Sequence, residues 1–335
     1  MVNVFNKTNC FKEYEGIKSI HEYGILNNVP NPVVSILMPV YNRPETFSLS
    51  LSSAIKQEFD QPYEIVVVDN YDGKDKSPNL EIVKQAGATN VMYYRNESNL
   101  GMLGNWNRGI EMARAEYITF CHDDDILLPN CLSRLMDLQK RTGKKCILSS
   151  HNRIDANGNF ISVYKFPHIK SFFFKEKGYY EYTLYNQFIC SMGVGVGCLF
   201  NRNCLIDIGG YNKKYYPSAD YALQVCYTYY YGCVINNIPT FNYREAINES
   251  KKIYRQFAEV DRILRQYMTE KINLPKWILN RIIISNYRIS VVAFSIIWGG
   301  KEEPSQNKIT LLDKLIMKFF SIPNKWKGYY LSLLR

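Results

Sequence analysis

What most limits the fold of this chain is an alternation of short, mostly apolar runs with segments of helical period. The runs are "VVSILMPV" (33–40), "EIVVVDN" (64–70), "VMYYRN" (91–96) and "YITFC" (117–121). Apolar runs with little in-out alternation are what strands buried on both faces produce, and that burial belongs to parallel sheets. Between them lie "PETFSLSLSSAIKQ", opened by Pro44 and carrying Phe47, Leu51, Ala54 and Ile55 near helical spacing, then "NLEIVKQAG" and "GNWNRGIEMARA". Strands alternating with helices of this length predict βαβ units, hence an α/β fold with a mostly parallel, Rossmann-like sheet flanked by helices. Ligands of such sheets bind beyond the carboxyl ends of the strands. Tyr41, Asp69 and the acids Asp123, Asp124 and Asp125 all fall there.

The acids raise a physical question. In "EYITFCHDDDILLP" an apolar strand delivers three adjacent carboxylates, each of which disfavours the ionisation of the next. A positive partner is expected. Adjacent carboxylates suit Mn²⁺ or Mg²⁺, which bind through one or two acids plus substrate phosphates. A nucleotide diphosphate would supply those phosphates, and the cation would act as a Lewis acid on the departing charge. The alternative is an exposed acidic turn before a helix N-terminus that favours acids. Asp69 likewise reads either as a ligand or as a turn former, the reading preferred for Asp72 and Asp75. Asp220 opens a long aromatic helix and by pattern alone is a cap. "DANGNF" predicts a hairpin turn at Asn157 and Gly158. "GVGVGCLF" is no phosphate loop, since no Lys-Ser or Lys-Thr follows it; Gly193, Gly195 and Gly197 read as sites of close backbone approach.

Nine scattered cysteines without a CxxC pair or zinc spacing predict reduced thiols in a cytoplasmic protein. The polar first residues show no secretory leader. The formal charge of +10 is unevenly placed: from residue 250 onward sixteen Lys and Arg stand against six Asp and Glu, which accounts for all of it. That region has no zinc-finger or RNP-like pattern, so no nucleic-acid partner is expected. In "ITLLDKLIMKFFSI" the stripes Leu311, Leu315, Phe319 and Leu312, Ile316, Phe320 share adjoining helical faces, with Lys314 and Lys318 elsewhere. A basic amphipathic tail suits the anionic inner face of the cell membrane; packing on the core or forming a homodimer is the other reading. No apolar run reaches the eighteen or so residues of a spanning helix.

The blocks "VSILMPVYNRPETFSLSLSSAI", "EIVVVDN", "NLGMLGNWNRGIEMARAEYITFCHDDDILLP" and "GGYNKKYYPSADYALQV" together resemble the inverting, nucleotide-sugar-dependent glycosyltransferases of family 2, over about residues 33–245. The resemblance implies a GT-A fold with a sugar-nucleotide donor, a divalent cation and inverting transfer to an acceptor hydroxyl. It places Pro39, Tyr41, Arg43, Asp69, Asn99, Gly101, Asn107 and Asp123 around the nucleotide, Asp124 and Asp125 at the metal, and Asp220 as general base. It implies a catalytic domain over 33–245 with a nucleotide half (33–130) and an acceptor half (131–245); outside it, composition and pattern predict a polar leader over 1–32 and a basic helical region over 246–335. A UDP-sugar donor is favoured, with a cell-surface glycan or lipid-linked oligosaccharide as acceptor. His122 replaces the first acid of the family's DxD and is expected to position a carboxylate or nucleotide rather than ligate; Ala219 stands where many relatives carry Glu, and Asn70 and Tyr71 depart after Asp69. No QxxRW motif is present, which favours single-sugar transfer over polymerisation. The competing expectations are a non-catalytic sugar-nucleotide binder or membrane scaffold, and a nucleotidyltransferase, which lacks its Lys-containing glycine loop here.

Overall fold

In the computed structural model, residues 3–73, 75–164, 178–190, 193, 195–245, 253–297 and 309–319 are described. Strands Ser19–Tyr23 (β1), Val34–Val40 (β2), Tyr63–Asp69 (β3), Val91–Asn96 (β4) and Tyr117–Phe120 (β5) alternate, from β2 on, with helices Pro44–Ile55 (α1), Pro78–Ala86 (α2) and Gly101–Met112 (α3). Then follow Ile126–Leu127 (β6), Cys131–Thr142 (α4), Cys146–Ser149 (β7), His151–Ile154 (β8), Phe160–Tyr164 (β9), Tyr179–Tyr182 (β10) and Leu184–Ile189 (α5). The chain continues through Leu199–Asn201 (β11), Arg202–Ile208 (α6), Ala219–Tyr231 (α7), Cys233–Asn236 (β12) and Phe241–Arg244 (β13). Helices Tyr254–Met268 (α8), Lys276–Ile297 (α9) and Leu311–Phe319 (α10) follow.

The main sheet has nine strands in the order β1-β4-β3-β2-β5-β11-β7-β12-β10. β4, β3, β2 and β5 run parallel, as the apolar runs predict. Along β2, Ile36 and Met38 pack with α1, α2 and α4, while Leu37 packs on the opposite side with α3, α6 and α7. Both faces are therefore dry, which is why the strand reads as one apolar run. Pro39 pairs with β3 past the end of the β2–β5 ladder, where its missing N–H breaks no bond. The chain leaves β2 toward β3 on one side and reaches β5 on the other, so the sheet's order reverses between β2 and β5. Loops diverge at such a switch point and leave a crevice.

A second, four-stranded sheet, β6-β13-β8-β9, abuts the carboxyl end of β5. The link from β5 to β6 is Cys121, His122 and the acids Asp123–Asp125, so the acids are strung from one sheet to the other.

Within the expected leader, β1 pairs antiparallel with β4 as the edge of the main sheet, and Val4, Phe5 and Phe11 are buried in the common core. β5 pairs directly with β11, so the main sheet runs across the two expected halves of the catalytic domain. The helices beyond 245 also join in: Val260, Leu264 and Met268 of α8, with Leu279, Ile282 and Ile283 of α9, enter the same cluster as Leu37 and Tyr221. α10 docks on α9 through the buried Asp313, which accepts from Arg281 (3.0 Å), Ser285 (2.6 Å) and Arg288 (3.2 Å). Leu311, Leu312 and Leu315 remain exposed on it, and Trp277 is exposed at the start of α9. Phe320 lies outside the described residues, as do the side chains of Lys314, Lys318 and Phe319. Among the described residues no helix is long and apolar enough to cross a membrane.

Candidate active site

Two loops face each other across the β2/β5 crevice. After β2, the Tyr41 N–H donates to Asp123 Oδ2 (3.1 Å) and Arg43 Nη1 to Asp124 Oδ2 (2.5 Å), with Asp123 Oδ1 3.5 Å away. Asn42, between them, takes φ +50°, a left-handed turn that Asn tolerates better than most residues. The turn aims both the Tyr41 amide and the Arg43 side chain at the acids. The positive partner expected for the acidic triplet is thus, in the first instance, Arg43. Its guanidinium is half-exposed, so the ion pair is screened on one side.

The three acids differ sharply. Burial pushes Asp123 up to about 7, with Asp124 adding to the rise and Arg43 opposing it. Burial also holds Asp125 well above the usual carboxylate range, again helped by Asp124. Asp125 Oδ1 accepts from the Arg244 N–H (3.0 Å), and His122 Nδ1 lies 3.7 Å from its Oδ2. Burial lowers His122 from its ordinary value, against the pull of Asp124. The imidazole stacks on Trp106, with ring centres 5.2 Å apart and planes 14° from parallel.

Among the described residues, one group of His, Cys, Asp and Glu side chains could hold a metal ion: ligand atoms of His122, Asp124 and Asp125 lie within 4.8 Å of one another. One imidazole nitrogen with two carboxylate oxygens is a donor set that Mn²⁺ accepts. The residues therefore fit a divalent cation, and His122 stands among its candidate ligands, contrary to the expectation that it only positions a neighbour. Asp123 faces the Tyr41 amide instead.

The remaining expected nucleotide residues separate into two kinds. Asn99 accepts from the Gly101 N–H (2.8 Å), and Gly101 takes φ +69°, so this pair shapes the exposed turn into α3. Asp69 is fully buried. Its Oδ2 accepts from Ser77 (2.6 Å), Asn79 (3.0 Å) and Tyr93 (2.6 Å), and its Oδ1 from the Tyr71 N–H (2.8 Å). Asn107 is also buried, and its amide pairs both ways with the Tyr211 backbone at 2.8 Å. It is a tie between α3 and the loop ahead of α7 rather than a side chain offered to a ligand. Its neighbour Asn105 donates to the Val68 carbonyl (3.0 Å) and belongs to a buried amide chain with Asn96 and Asn70.

Asp220 begins α7 with its own Oδ1 accepting from the Tyr221 N–H (2.8 Å). Burial pushes it up to about 6, the Tyr221 N–H opposing. Its carboxylate lies against Gly193: a β-carbon at that glycine would come within 2.0 Å of the Asp220 carboxyl carbon. Val196 bridges Phe120 at the end of β5, and the Gly197 N–H donates to the Phe120 carbonyl (3.0 Å). A β-carbon on Gly197 would strike Phe241 at 2.5 Å. Gly193 and Gly197 are thus sites of close approach, one to Asp220 and the other to Phe241, whereas Gly195 has room about it. Trp106 touches His122 on its face and Tyr211 at its edge (4.8 Å). Sequence reading missed Trp106 and Arg244; the former lies inside the resembling block "GNWNRG", while the latter has no local signal.

The molecule's likenesses agree with this geometry. A crystal structure of S. aureus TarS 1–349 in complex with UDP-GlcNAc superposes with a TM-score of 0.59 at 17% identity, covering 84% of this chain and 78% of that one, a likeness of fold. An uncharacterized glycosyltransferase of Methanocaldococcus jannaschii is 32% identical over 161 residues, 45% of this chain and 54% of the relative. A Campylobacter jejuni GalNAc(5)-diNAcBac-PP-undecaprenol beta-1,3-glucosyltransferase is 32% identical over 106 residues, 31% of this chain and 34% of the relative. The chain thus spans about half, or less, of the length of these curated relatives. The family model described as Glycosyl transferase family 2 matches residues 35–209. That match takes in β2 through α6, more than half of the 335 residues and both sides of the crevice, and the chain belongs to glycosyl transferase family 2.

Proposed function

We propose that the protein transfers one sugar, with inversion, from a nucleotide-sugar donor to an acceptor hydroxyl, and that the donor is a UDP-sugar. The observation that carries this reading is the closure of the β2/β5 crevice by Arg43 and Tyr41 on one side and Asp123 and Asp124 on the other. A donor diphosphate seated there meets the Arg43 guanidinium, which can leave Asp124 for phosphate oxygens. His122, Asp124 and Asp125 would hold Mn²⁺ or Mg²⁺, which supplies positive charge for the departing diphosphate. Asp69 serves the nucleotide indirectly, by holding Tyr71 and Ser77 beside it, and Asn99 with Gly101 shapes the adjoining turn.

Asp220 is the general base. Inversion requires one carboxylate to take the acceptor's hydroxyl proton as oxygen attacks opposite the leaving group. Its carboxylate packs on the Gly193 backbone, where no side chain would fit, and a value near 6 keeps it ionised at neutral pH. The test is Asp220→Asn: transfer should disappear while UDP binding, measured by calorimetry with Mn²⁺, stays near the parent value. Joint loss of both would overturn the base assignment.

The acceptor in this reading is a cell-surface glycan or lipid-linked oligosaccharide, in keeping with the undecaprenol in the name of the Campylobacter relative. The exposed Leu311, Leu312, Leu315 and Trp277, in a region that carries the whole positive excess, then face anionic lipid at the cytoplasmic side of the membrane. Flotation with phosphatidylglycerol vesicles, but not with phosphatidylcholine, is the expected result; a dimer in solution with no vesicle binding would replace this assignment.

A further inference from the structure

We infer that Arg244 is a positioning residue that holds the acidic turn in its metal-binding shape, an inference that rests on the metal site proposed at His122, Asp124 and Asp125. The turn has little internal support. It leaves β5 in one sheet and enters β6 in the other, and β6 is only two residues long. Strand β13 pairs antiparallel with β6 at Phe241–Leu127 and Asn242–Ile126. Two steps further along that register, Arg244 comes level with Asp124.

There it is 4% exposed and grips the turn at two points. Its backbone N–H donates to Asp125 Oδ1 (3.0 Å), and its Nε donates to the backbone carbonyl of Asp124 (3.0 Å). The far end of the guanidinium is anchored elsewhere: Nη1 donates to the carbonyls of Asp155 (3.3 Å) and Ala156 (2.9 Å) in the β8–β9 hairpin turn. That turn is itself preformed, since Asp155 accepts from the Asn157 N–H (2.9 Å) and the Asn159 N–H (2.8 Å). A planar fork with several donors can bridge carbonyls on two separate loops at once, which an ammonium cannot do. One candidate ligand is thus held through its backbone and the other through its carboxylate, by a residue that touches neither the ion nor the nucleotide. Groups that orient metal ligands from behind alter affinity roughly 10–100-fold when removed.

The experiment is titration with Mn²⁺ alone, followed by titration with UDP alone, on the full chain. Arg244→Met should weaken Mn²⁺ binding about tenfold or more while leaving metal-free UDP binding within about twofold, because Tyr41 and Arg43 are untouched. Arg244→Lys should recover only part of the loss. A loss of both affinities in parallel, with a lowered Tm, would mean a general structural role and overturn the inference; so would parent-level Mn²⁺ binding in Arg244→Met. Should that variant fail to fold, Asp155→Ala loosens the exposed hairpin turn instead, and unchanged Mn²⁺ affinity there would overturn it equally. Absence of Mn²⁺ binding in the parent chain is a separate outcome: it would remove the metal site itself, and with it the role assigned to Arg244.

Discussion

Asp69 and Asp124 both follow apolar strands of the same sheet, yet they have opposite surroundings. Asp69 is sealed, and four protein donors occupy its carboxylate. The Asp124 carboxylate is partly open and pairs with the half-exposed Arg43. A strand-end carboxylate surrounded by fixed donors builds the loop beside it, whereas one left with a movable cation is available to exchange partners. The difference lies in the supply of donors: Asp69 is the last residue of β3 and is ringed by them, whereas Asp124 stands beyond the end of β5 in the link to β6.

That contrast can be broken most readily at the open site. Asp124→Ala should lower transfer by about a thousandfold, the worth of several kcal/mol of charge stabilisation, with Tm nearly unchanged. Parent-rate transfer by this variant in excess chelator would end the metal reading. At the sealed site the pattern should invert. Asp69→Ala strands four buried donors and should destabilise the fold by about 3 kcal/mol in urea denaturation. Weakened UDP binding at unchanged stability would show instead that Asp69 serves the ligand directly.

A third test uses pH on Asp220, which like Asp124 is only partly buried. Only the ionised carboxylate can accept a proton, and burial has raised its titration to about 6. The transfer rate should therefore be level above that point and fall about tenfold per pH unit below it. Asp220→Glu should retain such a limb, and a flat profile down to pH 5 would assign the limb elsewhere. The smallest effect is expected for Tyr93→Phe, which removes one of the donors to Asp69 and should cost about 1 kcal/mol of stability with no change in transfer.

The parallel half of the fold was legible because burial on two faces leaves an apolar signature in consecutive residues. β1, "SIHEY", carries no such signature: it is an antiparallel edge strand, mostly half-buried, and its polar residues hid it inside an apparent leader. The short strands from β7 to β13 span three to five residues and offer too little pattern to place. Within the site, the acids and Tyr41 could be gathered from strand ends alone, and Arg43 from the family resemblance. Asp220 could not, because as a helix-start acid it looks like a cap, and only its packing on Gly193 sets it apart. Asp69 and Asp124 were indistinguishable for a related reason. The donors that seal Asp69 come from Ser77, Asn79 and Tyr93, and nothing local to the aspartate predicts that they converge. Arg244 is a nonlocal partner in the same sense.

The antiparallel strand at the border of the main sheet has a practical bearing on anyone trimming this protein. A fragment beginning at the family match, residue 35, would lack Ser19–Tyr23 and bare the outer backbone of Val91–Asn96. Unsatisfied amides along a flat border recruit other chains. Such a fragment should precipitate or self-associate even with every crevice residue in place, so any trimmed form is best begun well ahead of Ser19.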